Sequence, residues 1–124
     1  MKRIFILPVL FFAFNAEAFL TPSQSENVLQ VIDQACGDSW CEGAYDIQFD
    51  SLRCSRHQRV CQVKMTFVDS EDRTASTQVC LIEQVHHAED LIEDIGRPSE
   101  KLTKDTREAL GACVKAFYSQ AVKN

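Results

Sequence analysis

The apolar positions along the chain change period several times. From Val28 to Cys36 they recur at helical spacing, with Val28, Leu29, Ile32, Ala35 and Cys36 on one narrow stripe. The stretch Thr21-Pro22-Ser23-Gln24 ahead of it reads as a helix start. Thr21 caps, Pro22 suits the first helical position, and Gln24 can reach back to complete a capping box. Gly37 predicts the stop, in a left-handed conformation.

The period then shortens to two. Tyr45, Ile47 and Phe49 alternate with Asp46, Gln48 and Asp50, the pattern of a half-buried strand. Parity switches at Leu52 and Cys54, whereas Cys61, Val63, Met65 and Phe67 hold one face of the next strand. If Cys54 lies opposite Cys61, Phe49 meets Met65 and Ile47 meets Phe67 only when one residue is extra near Ser51. The pattern therefore predicts a β-bulge at Asp50–Leu52. Asp69 to Arg73 is a polar turn. Thr77 to Ile82 carries Val79, Cys80, Leu81 and Ile82 in succession, which predicts a strand covered on both faces or central in its sheet. The two short connections imply an antiparallel three-stranded meander.

From Gln84 the period lengthens again. Val85, Ala88, Leu91, Ile92 and Ile95 predict a helix that Gly96 and Pro98 end. Ser99 is the expected cap of a last helix, with a stripe of Leu102, Thr106, Ala109, Leu110, Cys113, Phe117 and Ala121. The expected fold is α+β: an N-terminal helix, the meander, and two C-terminal helices packed on the sheet, stabilised by disulfides.

The first residues stand apart from this pattern. Met1-Lys2-Arg3 is a basic start, Ile4 to Phe14 is apolar, and Ala16-Glu17-Ala18 is a small-x-small cleavage site. The apolar run is about half the length of a membrane-crossing helix, so a cleaved signal peptide over 1–18 is expected rather than an anchor. Residues 19–124 then form a single domain, about 106 residues long, which buries about two-thirds of its unfolded surface. Cleavage removes Lys2, Arg3 and Glu17 and moves the formal charge from −5 to −6. An acidic chain is a poor general binder of nucleic acid or of anionic membrane.

The composition includes six cysteines, all after the cleavage site. An even number in an exported chain reads as disulfides, and the C-x4-C and C-x6-C spacings match neither a redox pair nor a usual zinc knuckle. Six cysteines allow 15 connectivities, and spacing alone does not choose. The candidate pairs are Cys54–Cys61 across the hairpin, Cys80–Cys113 from third strand to last helix, and Cys36–Cys41 within a tight loop.

Three clusters are candidates for chemistry. Arg53, Arg56, His57 and Arg59 make the hairpin tip basic within an acidic chain, and guanidinium forks suit carboxylate or phosphate. A disulfide at its base would stiffen that tip, and Trp40, either a lid on the core beside a disulfide or an exposed apolar anchor, is a further candidate for holding a partner. Carboxylates at Asp38, Glu42 and Asp46 would serve a small hydrolase, given a cleft that gathers two of them. His86 and His87, with Asp90 at i,i+4 from His86, are weak metal candidates that lack the H-E-x-x-H pattern. No nucleotide-binding glycine loop or nucleophile elbow is present. These residues point to a periplasmic or secreted protein-binding domain without catalysis or cofactor: an inhibitor, an immunity-type protein or an envelope assembly factor. Its expected partner is another protein, acidic where the tip touches it. The alternatives are the carboxylate hydrolase and the histidine metal module.

Overall fold

The structure, a computed structural model, describes residues 20–39, 41 and 43–123, with side chains placed up to Gln120. The expected leader 1–18 lies outside those residues, as do Trp40 and Glu42. Helix α1 (Pro22–Asp38) is followed by strands β1 (Asp46–Ser55), β2 (Val60–Val68) and β3 (Thr74–Glu83). A single 3-10 turn (Ala88–Asp90), a two-residue ladder of β4 (Ile92–Glu93) with β5 (Lys101–Leu102), and helix α2 (Lys104–Lys123) complete the chain. The class is α+β, with three disulfides, Cys36–Cys41, Cys54–Cys61 and Cys80–Cys113.

Helix α1 starts with the reciprocal cap its sequence implies. The Gln24 N–H donates to Thr21 Oγ1 at 3.1 Å, and the Thr21 N–H donates to Gln24 Oε1 at 2.9 Å. Val28, Val31, Ile32 and Cys36 are buried against β1. The helix does not stop at a left-handed Gly37. Gly37 stays inside it, and the Ser39 hydroxyl donates to the Ala35 carbonyl at 2.7 Å. The Cys41 N–H donates to the Cys36 carbonyl at 2.9 Å, beside the Cys36–Cys41 bridge. Those bonds take up the terminal carbonyls that a left-handed glycine cap would otherwise serve.

The sheet is an antiparallel meander in the order β1-β2-β3. Cys54 faces Cys61, Leu52 faces Val63, Phe49 faces Met65 and Ile47 faces Phe67, with Asp50 the one residue left over. Side-chain parity demanded that bulge, because the pleat repeats every two residues. The inner face is lined by Leu52, Cys54, Cys61, Val63, Met65, Phe67, Cys80 and Ile82, all buried. One end is closed by aromatic rings: Phe67 stacks on Phe117 at 3.7 Å, and Tyr45 meets Phe117 edge-on at 5.3 Å. Gly43 passes so close to Tyr118 that a Cβ there would run into the ring, and the Tyr118 hydroxyl donates to the Tyr45 carbonyl at 3.3 Å.

β3 is neither central nor covered on both faces. It is an edge strand, and Val79 and Leu81 on its outer face are 57% and 50% exposed. The inner face supplies Cys80 and Ile82 to the core, so the continuous apolar run mixes a buried row with an open one.

The expected helix over Gln84–Ile95 is absent, and only one C-terminal helix follows the sheet. Three physical causes are visible. Gln84 turns the chain at φ 59°. The Asp90 carboxylate accepts the His86 and His87 N–H groups at 2.8 and 3.1 Å, closing a tight loop instead of a helical turn. The Asp90 carbonyl accepts the Thr103 hydroxyl at 2.7 Å, and the Leu91 carbonyl accepts the Thr103 N–H at 3.0 Å. Val85, Leu91 and Ile92 are buried as the spacing required, but Ile95 is 44% exposed. A loop pinned at both ends thus buries three of the five side chains on the expected helical face. Gly96, at φ 79°, serves the turn between β4 and β5.

Ser99 does not cap α2; its hydroxyl donates to Asp94 Oδ2 at 3.0 Å. Thr103 precedes the helix, with its Oγ1 3.4 Å from the Thr106 N–H. Thr106, Leu110, Val114 and Phe117 form the buried stripe of α2, which packs against β3 and is tied to it by Cys80–Cys113.

Candidate functional site

The hairpin tip is built from Ser55 outward. The Ser55 carbonyl accepts the Arg59 N–H at 2.8 Å, and its hydroxyl accepts the Gln58 N–H at 3.2 Å. Arg59 sits at φ 58°, a conformation that an L residue with a side chain rarely adopts. The Cys54–Cys61 bridge closes the base, with Cα atoms 4.0 Å apart.

The end of β3 comes to the same place. Val60 pairs with Glu83, and the Val85 N–H donates to the Arg59 carbonyl at 2.9 Å. The left-handed Gln84 then sends His86 and His87 past the tip, where Asp90 pins their backbone. Arg56, Arg59, His86, His87, Ala88 and Glu89 thereby line an open groove of 660 Å³, together with Gln24 from the first turn of α1. Two arginines, two histidines and one glutamate are among its lining residues. The positive end of the α1 dipole adds to the same sign of potential.

The Asp90 carboxyl is held below its usual value. The His86 N–H is the main cause, ahead of an opposing push from partial burial and of the His87 N–H. A carboxyl held ionised by donors is suited to fixing a loop and unsuited to acting as a general acid. It is also committed to two backbone donors, and the His86 and His87 ring centroids lie 6.3 Å apart. Among the described residues no group of three or more His, Cys, Asp or Glu gathers to hold a metal ion.

The other sequence candidates fall elsewhere. Arg53 lies on the open face of the sheet opposite Gln62, in a separate shallow depression with Ser51, Lys64 and Val79. His57 is exposed at the tip and outside the residues that line the groove. Trp40 is outside the described residues. Of the hydrolase carboxylates, Asp38 is exposed at the end of α1, Asp46 is exposed at the start of β1, and Glu42 is not described.

Gln24 and Glu89 are groove residues that the sequence does not mark as binding candidates. A signal existed for the meeting of the arginine and histidine pairs. In a meander, the residues that leave the third strand emerge beside the turn between the first two. The two clusters were therefore neighbours by topology, although about 30 residues separate them along the chain. No protein-family model matches the chain, and neither a curated protein nor a solved structure shows significant similarity to it.

Proposed function

We propose that the protein is an exported, disulfide-stiffened binding domain without catalysis, and that its groove takes an acidic segment of a partner protein. The observation that carries the reading is the convergence of Arg56, Arg59, His86 and His87 on one groove. Arginine forks recognise carboxylates in bidentate geometry, and imidazoles add further donors. The groove is held by a disulfide, by the Val85–Arg59 backbone bond and by Asp90, so little ordering opposes binding. Export rests on the basic-apolar-small leader and on six cysteines in three bridges, which suit an oxidising space such as the periplasm. An inhibitor, an immunity-type protein and an envelope assembly factor all share this mechanism.

The test is charge reversal. The oxidised protein carrying Arg56→Glu and Arg59→Glu should lose affinity for an oligoglutamate peptide by about tenfold or more. It should fail to capture from envelope extract whatever the wild type captures. Both side chains are exposed, so the melting temperature should stay nearly the same. Undiminished binding by the double variant contradicts the proposal.

A further inference from the structure

The outer edge of β3 is the feature that the groove does not use. β3 is ten residues long and, among the described residues, pairs only with β2. Among the described residues, no backbone hydrogen bond joins Thr74–Glu83 to anything outside the β2–β3 ladder. A free strand edge is a row of donors and acceptors ready to pair, and proteins usually blunt it with lysine, proline or a bulge. One such device stands at the start of β3, where Ala75 is extra between the Phe67–Ser76 and Val68–Thr74 pairs. From Ser76 to Ile82 there is none, and Val79 and Leu81 stand exposed on the open face.

We propose that this edge pairs with the same edge of a second copy, antiparallel, with the two-fold axis at Cys80. The register argument selects the occupant. In a symmetric pairing centred on Cys80, Val79 of each copy lies across from Leu81 of the other. Both exposed apolar residues therefore meet apolar partners at once. Centring the axis on Val79 sets Leu81 against Thr77, and centring it on Leu81 sets Val79 against Glu83, so each loses half of that match. An axis perpendicular to the sheet keeps both helical layers on one side and both open faces on the other. The product is a continuous six-stranded sheet with Val79 and Leu81 of both copies in one apolar patch.

Electrostatics separates this surface from the groove. Each copy is net acidic, so added salt relieves repulsion between copies and strengthens edge pairing, whereas salt weakens an arginine–carboxylate contact.

Sedimentation of the mature, oxidised protein over a wide dilution series tests the proposal, with a monomer–dimer equilibrium that shifts toward dimer as salt rises as the expected result. Val79→Lys with Leu81→Lys should leave a monomer of unchanged circular dichroism that still binds oligoglutamate. Amide exchange on the wild type gives a check that depends on no variant: alternate amides between Thr77 and Glu83 should gain protection as concentration increases. A wild type that stays monomeric overturns the proposal, as does a lysine variant that still dimerises, or protection that increases only outside β3.

Discussion

Asp90 decides where the groove wall stands. One carboxylate oxygen accepts the N–H groups of His86 and His87, and the carbonyl of the same residue accepts the hydroxyls of Thr103 and Thr106. Asp90→Ala removes a charged acceptor from two backbone donors and should cost about 1–3 kcal/mol of stability. It should also weaken oligoglutamate binding, because the histidine segment loses its anchor. Chemical denaturation and titration of the variant check both effects, and wild-type values in both would contradict this role. The pH dependence has a definite sign. The carboxyl is depressed in the folded protein, so its contribution is complete above about pH 4 and is lost as acid carries the pH down through the lowered value. The His86 and His87 amide resonances should move together in that acid range. Amides that stay fixed there would show that the carboxylate does not hold them. Arg59 matters at the same scale, since its left-handed backbone would be cheaper with glycine or asparagine.

Among the elements, the first hairpin was the most legible. The parity switch between Phe49 and Leu52 is a countable property of the side chains, and the bulge at Asp50 follows from it once Cys54 faces Cys61. The capping box of α1 was equally plain, because both of its bonds are local. The segment after β3 was not legible. Its apolar spacing suits a helix, and what defeats the helix is the Asp90 carboxylate acting together with bonds from Thr103 and Arg59, which are distant in sequence. Edge status escaped for a related reason: a run such as Val79-Cys80-Leu81-Ile82 reads the same whether its second face is covered or open. The groove followed the same division, with Arg56 and Arg59 flagged by charge, and their meeting with His86 and His87 fixed by topology. Two disulfides can be ranked at this scale. Cys80–Cys113 spans 33 residues and Cys54–Cys61 spans 7. Loop-closure entropy then predicts losses of about 3–4 and about 2–3 kcal/mol when each pair becomes alanine. Urea denaturation of the two double variants measures this, and a larger loss from the hairpin pair would contradict the ranking.

For the whole molecule, the arrangement is one-sided. The helices and the Leu91–Leu102 segment bury one face of a three-stranded sheet, while the other face, among the described residues, stays open and mostly polar. A core of this size is modest, and three covalent links add to it. Reduction should therefore lower the melting temperature by far more than any single surface substitution, a difference that calorimetry with and without reductant reads directly. The groove sits at the end of the sheet where the tip of β1–β2 meets the exit of β3, so fold and groove share the same hydrogen bonds. The most direct test is a nitrogen-15 NMR titration of the oxidised protein with an oligoglutamate peptide. The account predicts shifts confined to Gln24, Arg56, Arg59 and His86 to Glu89, vanishing in the Arg56→Glu, Arg59→Glu variant. Shifts centred on another surface, or none at any peptide concentration, would contradict it.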